Sequence, residues 1–243
     1  MPGDPKTMSL AFLAAVALTA QEPKIDDVLQ RSFRSATFTA VVGSASQIEL
    51  QKINPDFAKS YRFKSMEVWM KEPFKIRMES KVDDSDILMV INGAVRKLSI
   101  PKARLSQKFN LANEPGKRQT ALDFGILTPA LFDGLFQAAY VRTERRTGEL
   151  VFDLTYVAPL KDKSRHRVWI DPEKKMLTKR QWYANRGGHL MATFDCKDAQ
   201  LIGGVWMPTT VTVTNAENKL AGTTNYKNIK VNSTLEDSLF SVN

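Results

Sequence analysis

The sequence has a single cysteine, Cys196, and two histidines, His166 and His189. One thiol excludes an intramolecular disulfide and any thiolate metal cluster. Two solitary histidines without partners at fixed spacing do not make a metal site. His166 lies between Arg165 and Arg167 and reads as an exposed strand residue, and His189 follows Gly187-Gly188 at a turn. Cys196 sits in a strand-like run and reads as a small core residue, not a nucleophile. No G-x-S-x-G elbow, P-loop, G-x-G-x-x-G or H-E-x-x-H occurs. The acidic run Asp83-Asp84-Ser85-Asp86 lacks the glycine and terminal glutamate of a calcium loop and reads as a solvated turn. No catalytic residue, metal or cofactor is therefore expected.

Long apolar runs are scarce as well. The longest, Ser9 to Ala20, is too short to span a bilayer. It looks like the hydrophobic part of a secretory signal, with the small Ala20 ahead of Gln21-Glu22. The expectation is a signal peptide over residues 1–20, with Met8 as an alternative start, and one domain over 21–243. A buried N-terminal helix is the competing reading. There are 35 Lys and Arg against 26 Asp and Glu, a formal charge of +9. The plain reading is a solvated basic surface, although such an excess also suits anionic lipid or acidic protein. Aromatics are not interleaved with the basic residues as in nucleic-acid motifs, so no nucleic-acid partner is expected.

Alternation is what the chain has in abundance. Met66, Val68 and Met70 alternate with Glu67, Trp69 and Lys71, and past Pro73 the residues Phe74, Ile76 and Met78 alternate with Lys75, Arg77 and Glu79. A period of two is the strand signature. Lys71-Glu72-Pro73 reads as the hairpin corner, because proline cannot donate to a ladder. A third strand, Ile87 to Ile91, turns at Asn92-Gly93 into a fourth, Val95 to Ile100, that ends at Pro101. Strand signals continue to the C-terminus, giving roughly eleven short strands at the spacing of a barrel or sandwich. By parity the inward candidates are Phe38, Met66, Val68, Met70, Phe74, Ile76 and Met78. Such a face either fills itself as a plain core or encloses a ligand cavity. Methionine suits a pocket that accepts variable chains.

Three segments break the pattern. Residues 24–35 place Ile25, Val28, Leu29 and Phe33 at helical spacing and predict a short helix. Residues 43–60 read as a loose strand around Ile48-Glu49-Leu50 and a mobile loop. Thr128-Pro129 supplies an N-cap and a first-turn proline, with Leu131, Phe132, Leu135, Phe136 and Ala139 on one oily face. That face predicts a helix that is either a lid over a hydrophobic mouth or a plug in the end of a barrel.

These residues resemble the LolA-like outer-membrane lipoprotein-sorting family. The runs VWMKEPFKIRME and ILMVINGAVRKLSIP are similar to its W-x-K-x-P strand corner, N/D-G hairpin and strand-ending proline. TPALFDGLF resembles its lid helix, and RVWIDPEKKMLTKRQWY, GGVWMPTTVTVTN and LEDSLFSV resemble its later strands. The likeness extends over nearly all of the chain after residue 24. It implies a mainly β, half-open antiparallel barrel with an N-terminal helix and lid helices over an apolar cavity. It also implies a soluble, monomeric, non-enzymatic periplasmic carrier of lipoprotein acyl chains or other lipid, serving an inner-membrane donor and an outer-membrane acceptor. Phe38, Met66, Val68, Met70, Phe74, Ile76 and Met78 would line the cavity; Leu131, Phe132, Leu135 and Phe136 would cover it. The carriers often place an arginine before the corner proline, where it helps to hold the lid closed. Here that residue is Glu72. A sensory or scaffold domain of the same fold, binding a protein or peptide, is the alternative function.

Overall fold

In the computed structural model, which describes residues 21–243, the alternating runs pair as antiparallel strands. The expected signal peptide lies outside the described residues. The meander forms β1 (Ser35–Ala45), β2 (Ser65–Lys71), β3 (Lys75–Val82), β4 (Ser85–Asn92), β5 (Val95–Ile100) and β6 (Leu105–Asn110). The second half adds β7 (Phe136–Thr143), β8 (Leu150–Tyr156), β9 (Arg165–Asp171), β10 (Met176–Tyr183) and β11 (Leu190–Lys197). A small β12 (Gln200–Ile202) and β13 (Val205–Met207) pair with each other, before β14 (Thr210–Asn215) and β15 (Leu220–Val231).

Thirteen strands share one sheet, in the order β6-β5-β4-β3-β2-β1-β15-β14-β11-β10-β9-β8-β7. The sheet is curved and not closed, with thirteen strands where a half-open barrel of roughly eleven was expected. Register shifts mark the β1–β15 seam and ladders of the second half, at Thr37/Thr39, Val42/Ser44, Trp182/Tyr183, Leu177/Lys179, Val213/Thr214 and Tyr140/Arg142. Each shift adds local bend and twist. The meander ladders run without one. Successive strands β6 and β7 thus stand at opposite edges of the sheet. Residues 111–135 must cross from one edge to the other, and they do so over the concave face.

All three expected exceptions to the strand pattern are corrected, the third of them with the cover described below. Only Ile25–Val28 is helical near the N-terminus, as a single 3-10 turn. Beyond it Leu29 is extended, the Gln30 backbone N–H donates to the Leu127 carbonyl (2.8 Å), and the Arg34 N–H donates to Asn232 Oδ1 (2.8 Å). Tertiary partners take the backbone groups that a helix would have used. Residues 43–60 hold no loose strand after β1. They form α1 (Gln47–Ile53) and α2 (Pro55–Ser60). Ser46 caps α1 by accepting from the Glu49 N–H, and Asn54 caps α2 by accepting from Asp56 and Phe57. Leu50 and Ile53, one turn apart, are buried against the core. Strand β2 then begins at Ser65, one residue before the alternation of Met66, Val68 and Met70.

The C-terminal segment crosses the outer face of the meander. Phe240 is fully buried there, its carbonyl accepting from Asn92 Nδ2 (3.2 Å). The Leu239 carbonyl accepts from Arg77 Nη1 (3.1 Å), and Asp237 bridges Lys71 and Lys75 (2.8 and 2.9 Å). Those two ammonium groups hold the Asp237 carboxyl down at about 2. The tail therefore covers the side of β3 opposite Ile76 and Met78.

Candidate functional site

All seven candidate wall residues point to the concave side. Phe38, Val68, Met70, Ile76 and Met78 are buried, and Met66 and Phe74 pack half-buried against the same cluster. Strand pairing aligns Phe38 with Val68 and Met78, and Ala36 with Met70, Ile76 and Ile91, in rows across four strands. A row of apolar side chains repeated from strand to strand is what a period of two produces once register is fixed.

The expected lid helix does not form. Thr128-Pro129 opens a 3-10 turn, Pro129–Phe132, and Gly134 then takes φ +77°, a left-handed value that ends the turn. From Phe136 the chain is strand β7, with Phe136 opposite Tyr156 and Ala139 exposed. The spacing that reads as a helical face also fits alternation of Phe136, Ala138 and Tyr140, and the free edge of β8 decides in favour of strand. Leu131 and Leu135 are buried in the cover and Phe132 is half-buried. Phe136 belongs to the wall, its ring stacked on Tyr156 at 4.6 Å.

The cover is the crossover itself. Leu111, Ala121, Leu122, Phe124, Ile126 and Leu127 are buried, and Phe124 meets Phe38 edge-on at 5.5 Å. Tyr226 of β15 closes on the same ring at 4.8 Å. The concave face is occupied by the protein's own side chains. Two surface depressions of about 350 and 410 Å³ are lined by none of the candidate wall residues.

The corner between β2 and β3 is where the crossover docks. Glu72 Oε1 accepts from Thr128 Oγ1 (2.9 Å), while Oε2 is buried without a partner. Burial raises the Glu72 pKa, against smaller opposing effects of the Thr128 and Phe74 hydrogen bonds. Phe74 sits at φ +50°, uncommon for an aromatic residue, and presents its ring to the Arg118 guanidinium at 4.9 Å. Arg118 Nε is buried without a partner, and burial lowers its pKa. The sequence marks Glu72 at the corner and Thr128 as a helix cap, but nothing in it joins the two; the Thr128 hydroxyl donates to Glu72 and makes no cap bond.

A carboxylate with a raised folded-state pKa favours folding below its unfolded value, about 4.3, and loses that contribution as pH rises through the folded value. Glu72→Gln keeps an acceptor for Thr128 and removes the charge. It should raise stability at neutral pH by up to about 1 kcal/mol and leave it unchanged in acid. Urea unfolding at both pH values, beside wild type, checks the sign.

A second polar group lies deeper, on the wall of the later strands, and nothing in the sequence pattern marked it. Arg180 of β10 is the one charged side chain among the buried residues described. Its Nη1 donates to Asp123 Oδ1 (3.0 Å), and its guanidinium lies 4.1 Å from the Phe194 ring centre. Asp123 belongs to the crossover, in the 3-10 turn Ala121–Phe124, and its Oδ2 accepts from the Thr120 N–H (2.9 Å). His166, expected to be exposed, is buried edge-on to Phe136 and Tyr156, because even-numbered residues of β9 face inward with Val168 and Ile170. Burial, with Arg180 nearby, drives its pKa well below the ordinary range, so the ring is neutral. Burial likewise lifts the Tyr156 phenol. Cys196 is a buried core thiol pushed up to about 12, as its strand position implied. No cluster of metal-ligating side chains occurs among the described residues.

The comparisons agree with this architecture. A family model described only as an uncharacterized protein matches residues 132–243. No curated protein matches the chain. Among solved structures, an outer-membrane lipoprotein-sorting protein domain from Vibrio parahaemolyticus superposes with a TM-score of 0.61 at 14% identity, over 89% of this chain and 93% of that one. A DUF1329 family protein from Desulfovibrio piger gives 0.60 at 11% identity, over 89% and 92%. A LolA superfamily protein from Nitrosomonas europaea gives 0.57 at 15%, over 89% and 94%. The likeness is one of fold. The chain is mainly β, antiparallel and unclosed, and its architecture is LolA-like, as the sequence motifs implied.

Proposed function

We propose that the chain is an exported, non-enzymatic carrier or binder of acyl chains, whose cargo site is the concave face now covered by residues 111–135. The observation that carries this reading is how lightly the cover is attached. Among the described residues, residues 111–135 are tied to distant parts of the chain by two hydrogen bonds at their ends, Leu111–Ala94 and Val157–Leu135, where they join β6 and β7, and by three between, Gln30–Leu127, Glu72–Thr128 and Arg180–Asp123. The remainder of its attachment is apolar contact and the Arg118–Phe74 cation–π contact. It can leave the concave face without breaking any ladder of the sheet. An acyl chain taking its place gains about 0.8 kcal/mol per buried CH₂, which offsets uncovering the wall. Neutral residues on this part of the wall, with the flexible Met66, Met70 and Met78 among them, suit cargo of variable length.

In this reading the wall is Phe38, Met66, Val68, Met70, Phe74, Ile76 and Met78, and Phe136 joins it. Leu131, Phe132 and Leu135 belong to the cover, and Glu72 and Phe74 form its latch. The LolA-like architecture favours lipoproteins as cargo, moved through the periplasm from an inner-membrane donor to an outer-membrane acceptor by a monomer. Export predicts a mature N-terminus near Gln21, which N-terminal sequencing of the protein from cells decides. No helix among the described residues is long and apolar enough to cross a membrane.

The test is titration of the full chain with a fluorescent fatty acid, together with thermal unfolding in its absence. Saturable binding is expected. Met78→Trp overpacks the filled, cargo-free face and should cost about 1–3 kcal/mol while weakening the probe. Glu72→Arg removes the acceptor of Thr128 and should change the probe off-rate. A wild type without saturable binding would leave a packed sheet and turn the reading toward a sensory or scaffold domain.

A further inference from the structure

The buried Arg180 narrows the cargo. Its acidic partner comes not from the wall but from the movable cover. The outer face of the neighbouring strands is built differently: Asp153 of β8 holds Arg165 and Arg167 of β9 at 2.7 and 2.8 Å, wall to wall and within reach of water. On the inner face Arg180 is only 7% exposed, against 33% for Asp123. When the cover lifts, Asp123 leaves with it. Arg180 then stays behind as a bare cation among Phe194, Val168 and the rest of an apolar wall. A neutral hydrocarbon cannot compensate that charge, whereas an anion can.

We propose that the cargo carries a carboxylate or phosphate at the head of its acyl chain, and that Asp123 stands in for this group against Arg180 while the cover is seated. The proposal rests on the acyl-chain carrier reading and replaces lipoprotein with a different cargo class. It points to an anionic amphiphile in place of an uncharged acyl glyceride. The surroundings fit a head group larger than a single carboxylate oxygen pair. The neutral His166 ring has a buried Nδ1 without a partner, and its ring centre is 6.3 Å from that of Tyr156. Arg118, on the cover's approach, has a buried Nε without a partner, and the Gln119 Oε1 beside it is also unpartnered. Both Arg118 and Arg180 are near enough to Tyr156 to act on its phenol. Orphaned buried polar atoms are uncommon, and here three of them belong to the cover or to the wall beneath it.

The test uses three amphiphiles of one chain length on the full chain: dodecanoate, dodecyl phosphate and dodecanol, with inorganic phosphate as the chainless anion. The two anionic amphiphiles should bind about tenfold more tightly than dodecanol, the effect of one charge-assisted contact in a dry site. Asp123→Asn releases Arg180 and should tighten both anions several times more than it tightens dodecanol. Arg180→Gln should erase the preference, and Arg180→Lys should restore part of it. If Arg180→Gln fails to fold, the Asp123→Asn comparison still decides. Equal affinity for all three amphiphiles in the wild type would overturn this proposal and leave the carrier reading standing. Absence of binding by any of them would overturn both. Inorganic phosphate binding as tightly as dodecyl phosphate would make this a free-anion site and also overturn it.

Discussion

Phe38→Ala should destabilise the chain by about 3–5 kcal/mol, the range for emptying a fully buried aromatic position. Phe38 is 2% exposed on β1, in the middle of the sheet, with Val68 beside it in the ladder and Phe124 and Tyr226 against its ring. Neighbouring strands are held by their own ladders and cannot collapse inward, so most of the lost volume remains as a void. Equilibrium urea unfolding gives the change from the shift in midpoint. Ile48→Ala is the matched control: that side chain is 72% exposed on α1 and should change stability by less than about 0.5 kcal/mol. The void opens between wall and cover, so the same variant should bind a small apolar probe that the wild type excludes.

Asp123→Ala should cost about 3 kcal/mol, the lower end of what breaking a buried ion pair costs, because water reaches the carboxylate side of this one. The loss comes from the cation left behind more than from the bond itself. Combining Asp123→Ala with Arg180→Met should therefore recover most of the stability, since replacing both partners by apolar groups removes the stranded charge. A double-mutant cycle on unfolding free energies reads this directly. If the double variant is no more stable than Asp123→Ala alone, the capping bond from Asp123 Oδ2 to the Thr120 N–H is the part that matters.

The wall was legible because it depends on one rule. Strand parity places Val68, Met70, Ile76 and Met78 on a shared face whatever the rest of the chain does, and the corner proline and Asn92-Gly93 fix the register. The cover was legible only as oily sequence. Its conformation depends on spanning two distant sheet edges, and no local pattern encodes that distance. Phe136 satisfied a helical and an alternating template at once, and only the unpaired edge of β8 separates them. Residues 43–60 did carry a signal, Ser46 with Glu49 three residues on and Asn54 before Pro55, which is a capping pattern followed by a second cap. Alternation at Ile48-Glu49-Leu50 masked it. Arg180, Asp123 and His166 could not be joined from sequence, since a single arginine in a strand rich in basic residues gives no sign of which face it takes until register is set. His166 shows this most clearly: flanked by arginines it reads as exposed, yet parity with Val168 and Ile170 turns it inward.

The seam at the middle of the sheet joins β1 to β15, the first strand to the last. Synthesis delivers these partners at opposite ends of the chain. Until the final residues arrive, the β1 side of the meander is an unpaired edge, open to a neighbouring chain in the same unfinished state. Pairings of such large sequence separation also slow the search for the native topology. Formation of this sheet is thus gated by β15, and Phe240 adds a buried contact on the meander's outer face. A chain that loses residues 237–243 keeps its concave face but leaves the outer side of Val90 and Arg77 uncovered. The segment 232–243 thus bears on the yield of folded molecules from the face of the sheet opposite the wall.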